Sequence, residues 1–289
     1  MNEDEVGRCR NCGAGLAGRY CSNCGQAADV HVPSTRELIH EVLEGLTHSD
    51  SRLWATLKCL WFKPGKLTQE FVAGRRAAYL PPFRLYLILS VAFFLIASFS
   101  HFKSEVVRID AGDLHKTQES DCTNGTVGFA WLAKRPDWNR RLQRACIGVV
   151  RDNGNNLLHA GVAAMPKGMF VFLPLVAFLH MLMYWWPRHR YAVHLLFFLH
   201  LHAFFFFVAT LLVLSGDAAT AWPALAPLDN TGFKVLFWLM VVYSIIAMRR
   251  VFKMGWWLTL AKSLALFVVY FTMLAITVAS VFIYAALQL

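Results

Sequence analysis

The chain has 289 residues, of which 57% are hydrophobic and only 16% charged, a balance too apolar for a soluble protein of this length. Its formal net charge of +10 invites a nucleic-acid reading, but the bases cluster beside long apolar runs, as they do in membrane proteins. The lipid bilayer is therefore the expected partner and nucleic acid is not. The first 80 residues are polar and hold no apolar run of the kind a cleaved signal peptide needs, so the first span is expected to anchor the mature chain.

Residues 1–30 read as a zinc ribbon. Cys9-Arg-Asn-Cys12 and Cys21-Ser-Asn-Cys24 are two C-x-x-C knuckles separated by eight residues, each offering two thiolates to one ion. Gly13 and Gly25 directly follow the second cysteine of each pair, where a tight turn can require a positive φ. A thioredoxin-type redox pair is the rival, but no βαβ pattern surrounds these cysteines. The expectation is a structural tetrathiolate site for Zn2+, with iron left open by ligand type. Four protein ligands leave no open coordination position, so the site is not expected to be catalytic.

Residues 31–81 read as juxtamembrane amphipathic helices. Ser34-Thr35-Arg36-Glu37 has the capping-box pattern, with Leu38, Ile39, Val42, Leu43 and Leu46 at helical spacing behind it. A second segment carries Leu53, Trp54, Leu57, Leu60 and Trp61 and stops at Lys63-Pro64-Gly65. Tryptophans beside basic residues suit the headgroup layer. Cys59 reads as a buried small hydrophobe. The stretch from Gly74 to Tyr86 has two readings. Its arginines snorkel to phosphates while its tyrosines form an interfacial belt and its prolines start a span; or Arg75, Arg76, Tyr79 and Arg84 form a pocket for an anion or lipid headgroup.

Residues 82–289 read as a transmembrane helical domain. Five runs reach the roughly 17 or more apolar residues needed to cross a bilayer: Pro82–Phe102, Met165–Trp186, Tyr191–Leu214, Gly232–Met248 and Leu258–Leu287. Lys63, Lys66, Arg75, Arg76 and Arg84 precede the first, Arg188 and Arg190 follow the second, and Arg249, Arg250 and Lys253 follow the fourth. The loop from Ser215 to Thr231 has none, so the N-terminus is expected in the cytoplasm and the C-terminus outside. The external loop 103–164 holds nine Lys or Arg, but segments of roughly 60 residues translocate largely regardless of charge. That loop is expected to contain a basic amphipathic helix over Trp138–Val150 and a turn at Asp152-Asn153-Gly154. Cys122 and Cys146 lie in it too, either as a disulfide or as free thiols.

Four histidines fall within the spans: His180 on the second, and His194, His200 and His202 on the third. Ionisable groups there need partners. On one helix His194 and His202 are about 80° apart in azimuth and ~12 Å in height, while His200 points away from both. One helix alone cannot bring all three to a single metal. Three readings stand: interhelical hydrogen bonds by neutral imidazoles, metal or haem ligation by His180 with His200 or His202, and a proton or substrate path. No catalytic set emerges. His40-Glu41-Val-Leu-Glu44 lacks the second histidine of a zincin helix, and no Walker loop, dinucleotide-binding glycine pattern or nucleophile elbow is found. Asn124-Gly-Thr126 fits a glycosylation sequon.

Taken together, Tyr20-Cys-x-x-Cys-Gly-Gln26, Asp50-Ser51, Pro64-Gly65, Gly74-Arg75-Arg76-x-x-Tyr79-x-x-Pro82 and His194-x-x-Phe197-x-x-His200-x-His202-Ala-Phe204 resemble an uncharacterised bacterial membrane family, domain of unknown function 3667. The segment from Arg249 to Gly255 resembles that family's last cytoplasmic loop. Val193 departs from the pattern, standing where family members often carry a glutamate. The resemblance implies an all-α polytopic membrane protein with an N-terminal zinc ribbon in a bacterial inner membrane, and supplies no reaction. The leading expectation for function is a non-enzymatic adaptor whose ribbon binds a protein or lipid partner. The alternatives are a redox or metal-cofactor protein and a small transporter using the membrane histidines. Five spans are too few to enclose a pore without oligomerisation.

Overall fold

A computed structural model describes residues 8–28, 52–100, 122, 136–151, 155–184, 189–221 and 226–288. The expected capping-box helix at Ser34, the turn at Asp152 and the sequon at Asn124 lie outside them. The described residues form eight helices and no strand: α1 (Leu53–Phe62), α2 (Lys66–Val72), α3 (Pro82–Phe99), α4 (Pro136–Arg151), α5 (Asn155–Met183), α6 (Tyr191–Ala221), α7 (Ala226–Phe252) and α8 (Trp256–Ala286). Five of them, α3 and α5 to α8, are long and apolar enough to cross a membrane. Helix bounds depart from the apolar stretches that announce them: α3 stops at Phe99, short of the expected Phe102, while others start earlier than expected. Thus α5 begins at Asn155, within the stretch expected as external loop, and its apolar portion starts at His159.

The chain divides into two compact units, Met1–Phe102 with Ala177–Phe267, and Lys103–Val176 with Val268–Leu289. In the first, α6 is the hub on which α1, α2, α3 and α7 pack. Its sequence is apolar on every face, the pattern of a helix enclosed on all sides. Accordingly 67% of its most apolar 18-residue stretch is buried within the protein, against 0% for that of α8. Phe206 of α6 meets Tyr86, Phe93 and Phe94 of α3 with ring centres 5.4–5.8 Å apart. On another side Phe204 stacks on Tyr243 of α7 at 3.6 Å, and the Tyr243 hydroxyl donates to the Leu60 carbonyl at 2.7 Å.

The α1–α2 hairpin is built into this unit rather than laid beside it. Trp61 packs on Phe204 and Phe207 of α6 at 5.8 and 5.5 Å, so one of the two expected headgroup tryptophans is engaged by a span, while Trp54 remains 71% exposed. The turn between the helices rests on α7. Gly65 has φ +72°, and a Cβ there would stand 2.8 Å from the Ala247 carbonyl oxygen; Arg250 donates to the Pro64 carbonyl at 2.7 Å. A left-handed glycine is what lets main chain meet main chain this closely. Pro82 then opens α3 at its first turn, where a missing N–H costs nothing.

In the second unit Cys122 and Cys146 are joined as a disulfide, with Cα atoms 5.8 Å apart, which resolves the two readings left open by the sequence. Cys146 lies on α4, the basic helix expected from Trp138 to Val150. Small residues permit helix contact here. A Cβ on Gly161 would meet the Phe282 ring and one on Gly168 the Val281 side chain, at 2.5 and 2.7 Å.

Candidate functional site

The N-terminal cysteines converge. All four Sγ atoms lie within 4.8 Å of one another, and Cys9 approaches Cys24 to 3.6 Å and Cys12 approaches Cys21 to 3.5 Å, both across the two knuckles. A tetrahedron of thiolates about 2.3 Å from a central ion has edges of roughly 3.8 Å, so the set fits one tetrahedral metal ion. Each knuckle closes in the same way. Gly13 N donates to Cys9 O and Gly25 N to Cys21 O, both at 2.8 Å, with the two glycines at φ +78° and +71°. The Ala14 N–H beside Cys12 brings its thiol down to about 6, and the Cys12 N–H holds Cys9 below its ordinary value. The Cys24 and Asn23 N–H groups favour the Cys21 thiolate, but burial and the neighbouring Cys12 and Cys9 sulfurs outweigh them and push its thiol up to about 11. Unequal thiols of this kind suit a cluster that shares charge before an ion neutralises it.

The cysteine module is fastened to the segment that leads into α3. Gln26, the second residue after Cys24, is 7% exposed. Its Nε2 donates to the Gly74 carbonyl at 2.7 Å, and its Oε1 accepts from Arg76 N and Ala77 N at 3.0 and 3.2 Å. One amide thus satisfies three main-chain groups of the arginine turn. The turn is tied in its own right, with Arg52 donating to Ala77 O at 3.0 Å and Leu80 N donating to Thr56 Oγ1 at 3.0 Å.

The four residues of the expected anion pocket take separate neighbours. Arg75 pairs with Glu70 and holds that carboxyl below the usual carboxylate range. Arg76 lies over the Phe71 ring at 4.6 Å, and Tyr79, whose phenol burial pushes up to about 12, bonds the Cys59 thiol. Arg84 sits on the first turn of α3.

The membrane histidines sort into three settings. His180 Nδ1 stands 2.9 Å from His194 Nδ1. His200 Nδ1 meets Thr68 Oγ1 at 2.9 Å, and His202 Nδ1 bonds the Phe198 carbonyl one turn back at 2.9 Å. The sequence reading grouped His180 with His200 or His202; the structure pairs it with His194. The reason is the hairpin. His180 and His194 are each seven residues from position 187 in the linker between α5 and α6, and antiparallel helices place residues equidistant from their turn opposite one another.

Residues 50–94 match a family described as protein of unknown function, DUF3667. No curated protein and no solved structure matches the chain. The DUF3667 match covers α1, α2, the arginine turn and most of α3; the cysteine cluster and the four histidines lie outside it, yet both touch it. Gln26 holds the segment at Gly74 and Ala77, and His200 holds it at Thr68. These two contacts were not anticipated. Gln26 was visible only as a motif letter after the knuckle, and nothing local distinguishes Thr68 from any other helix threonine.

Proposed function

We propose that this chain is a non-enzymatic membrane adaptor whose ribbon, holding one zinc ion through Cys9, Cys12, Cys21 and Cys24, presents a protein- or lipid-binding surface at the cytoplasmic face of a bacterial inner membrane. The observation that carries this reading is the Gln26 clasp: a metal module with all four ligands supplied by protein is bonded directly to the turn that precedes the first span. A bound ion would cross-link the two knuckles and so fix the backbone from which Gln26 projects. No open coordination position remains for a substrate. The basic residues flanking α1, α2 and α7 support an inner-side reading of this face by the positive-inside rule. Tyr20, 68% exposed on the ribbon, is a contact candidate for the partner.

The test is a photoreactive residue at Tyr20 in the full chain in cells. The adaptor reading expects a discrete adduct that disappears in a Cys9→Ser, Cys12→Ser variant still inserted in the membrane. An adduct pattern indifferent to the cysteines rejects it. Metal analysis of the detergent-purified protein should return one equivalent of zinc, lost in the same variant; iron with a thiolate absorption band would replace zinc in the proposal.

A further inference from the structure

Where α5 and α6 meet, four buried polar atoms make no hydrogen bond: His180 Nε2, Tyr184 Oη, His189 Nε2 and His194 Nε2. His180 and His194 are 0% exposed and Tyr184 2%, while His189 is half-buried. A buried donor or acceptor without a partner is costly, and native proteins meet such groups with protein, water or an ion. Four in one cluster mark a place where something polar belongs.

Size and charge narrow what that is. The His180 ring is ringed by Tyr184, His194, Phe197, Phe198 and Phe252 with centres 4.7–5.7 Å away, which is aromatic contact distance and leaves no slot for a porphyrin or quinone. A divalent cation is disfavoured electrostatically. Among the described residues, the titratable groups that face the pair are Tyr184, His189 and Lys262, none of them a carboxylate, and the Lys262 ammonium lies 3.9 Å over the Tyr184 ring. An ion shared by the two Nδ1 atoms would also leave each Nε2 N–H without the second partner that metal-bound imidazoles ordinarily have. Water meets every condition, being small, uncharged and both donor and acceptor.

The histidine pair itself is polarised. With both rings neutral, a bond between two Nδ1 atoms requires one to carry hydrogen and the other a lone pair. The outward Nε2 of the first ring is then an acceptor and that of the second a donor. We propose that His180 and His194 form a proton-exchange dyad, reached by ordered water beside His189 and Tyr184. A proton arriving from water at the free Nε2 of the donating ring makes it an imidazolium. That ring passes its Nδ1 proton across the 2.9 Å gap to its partner, which releases its own Nε2 proton to the water on its far side. One proton has moved, no net charge remains, and the two rings have exchanged tautomers. His200 and His202 take no part, each having its own bond.

The experiment uses the full chain, 15N-labelled at histidine and reconstituted in lipid vesicles with its ribbon loaded. Ring-nitrogen NMR in H2O and D2O should show His180 and His194 each populating both tautomers and exchanging with solvent. In His194→Gln the His180 tautomer exchange should be lost, whereas in His202→Gln it should persist. Two results overturn the proposal. Rings each locked in a single tautomer without solvent exchange would make the contact a structural bond alone. A second metal equivalent, absent from His194→Gln while the ribbon's is retained, would make the site a metal centre. Should His194→Gln fail to fold, the wild-type spectrum and metal count decide between the same outcomes. Neither depends on the ribbon having a partner.

Discussion

Thr68 and His200, 132 residues apart in sequence, share a hydrogen bond 2.9 Å long between side chains that are both buried. It joins the short helix α2 to the central helix α6, and with the Tyr243 bond to Leu60 it makes the α1–α2 hairpin part of the helical unit.

Replacing Thr68 by Val keeps the shape and removes the hydroxyl. The imidazole is then left enclosed without its partner, which costs about 1–3 kcal/mol. Thermal unfolding in detergent should fall accordingly. Adding His200→Leu to the same chain should recover part of the loss, because an apolar pair is better tolerated than half a polar one.

Gln26→Leu should loosen the ribbon without touching a metal ligand, since three main-chain groups of the arginine turn lose their partner at once. Limited tryptic cleavage after Arg75 and Arg76, compared between variant and wild type at equal metal occupancy, reads the effect. Faster cleavage with unchanged metal content is the expected outcome.

At Gly65 two penalties coincide, a positive φ and a Cβ 2.8 Å from a backbone oxygen. Gly65→Ala is therefore expected to lower stability by about 1 kcal/mol or more. Gly148→Ala, where a Cβ meets nothing within 4 Å, is the comparison and should be near neutral or slightly stabilising in its helix. Unfolding midpoints of the two variants supply the check.

In the metal-free chain the cysteines should react in an order set by their thiol acidities. Cys12, brought to about 6, is chiefly thiolate at pH 7, whereas Cys21, pushed up to about 11, is protonated; the thiolate is the nucleophile. Pulsed alkylation with mass spectrometry should find Cys12 modified first and Cys21 last. Lowering the pH below 6 should slow Cys12 sharply, and raising it toward 11 should bring Cys21 into reach.

The Cys122–Cys146 bond makes its own prediction about compartment. If the loop lies outside the reducing cytoplasm, a membrane-impermeant maleimide added to intact spheroplasts should label these cysteines only after reduction. Labelling without reductant would mean free thiols.

The membrane spans and the cysteine cluster were legible because each depends on a local pattern. Hydrophobic runs announce a helix whatever surrounds it, and two C-x-x-C knuckles need only each other. Helix ends were harder to read, since α5 runs on past the apolar residues into polar Asn155. The contacts that assemble the site were hidden for another reason. Gln26 with Gly74, Thr68 with His200 and Tyr243 with Leu60 are long-range hydrogen bonds, and a single sequence carries no period or spacing that reports them. His180 with His194 is the intermediate case. Equal distance from the α5–α6 linker is there to be counted, whereas azimuth and height along α6 do not by themselves select His194 as the partner of His180.

Because Gln26 grips only peptide groups, the joint between the cysteine module and the apolar helix α3 is blind to the side chains that ride on it. Ala77 can drift to any residue that keeps its backbone angles, and the grip survives. The glutamine itself has no such latitude: a shorter amide falls short of the turn, and a carboxylate has no hydrogen to offer Gly74.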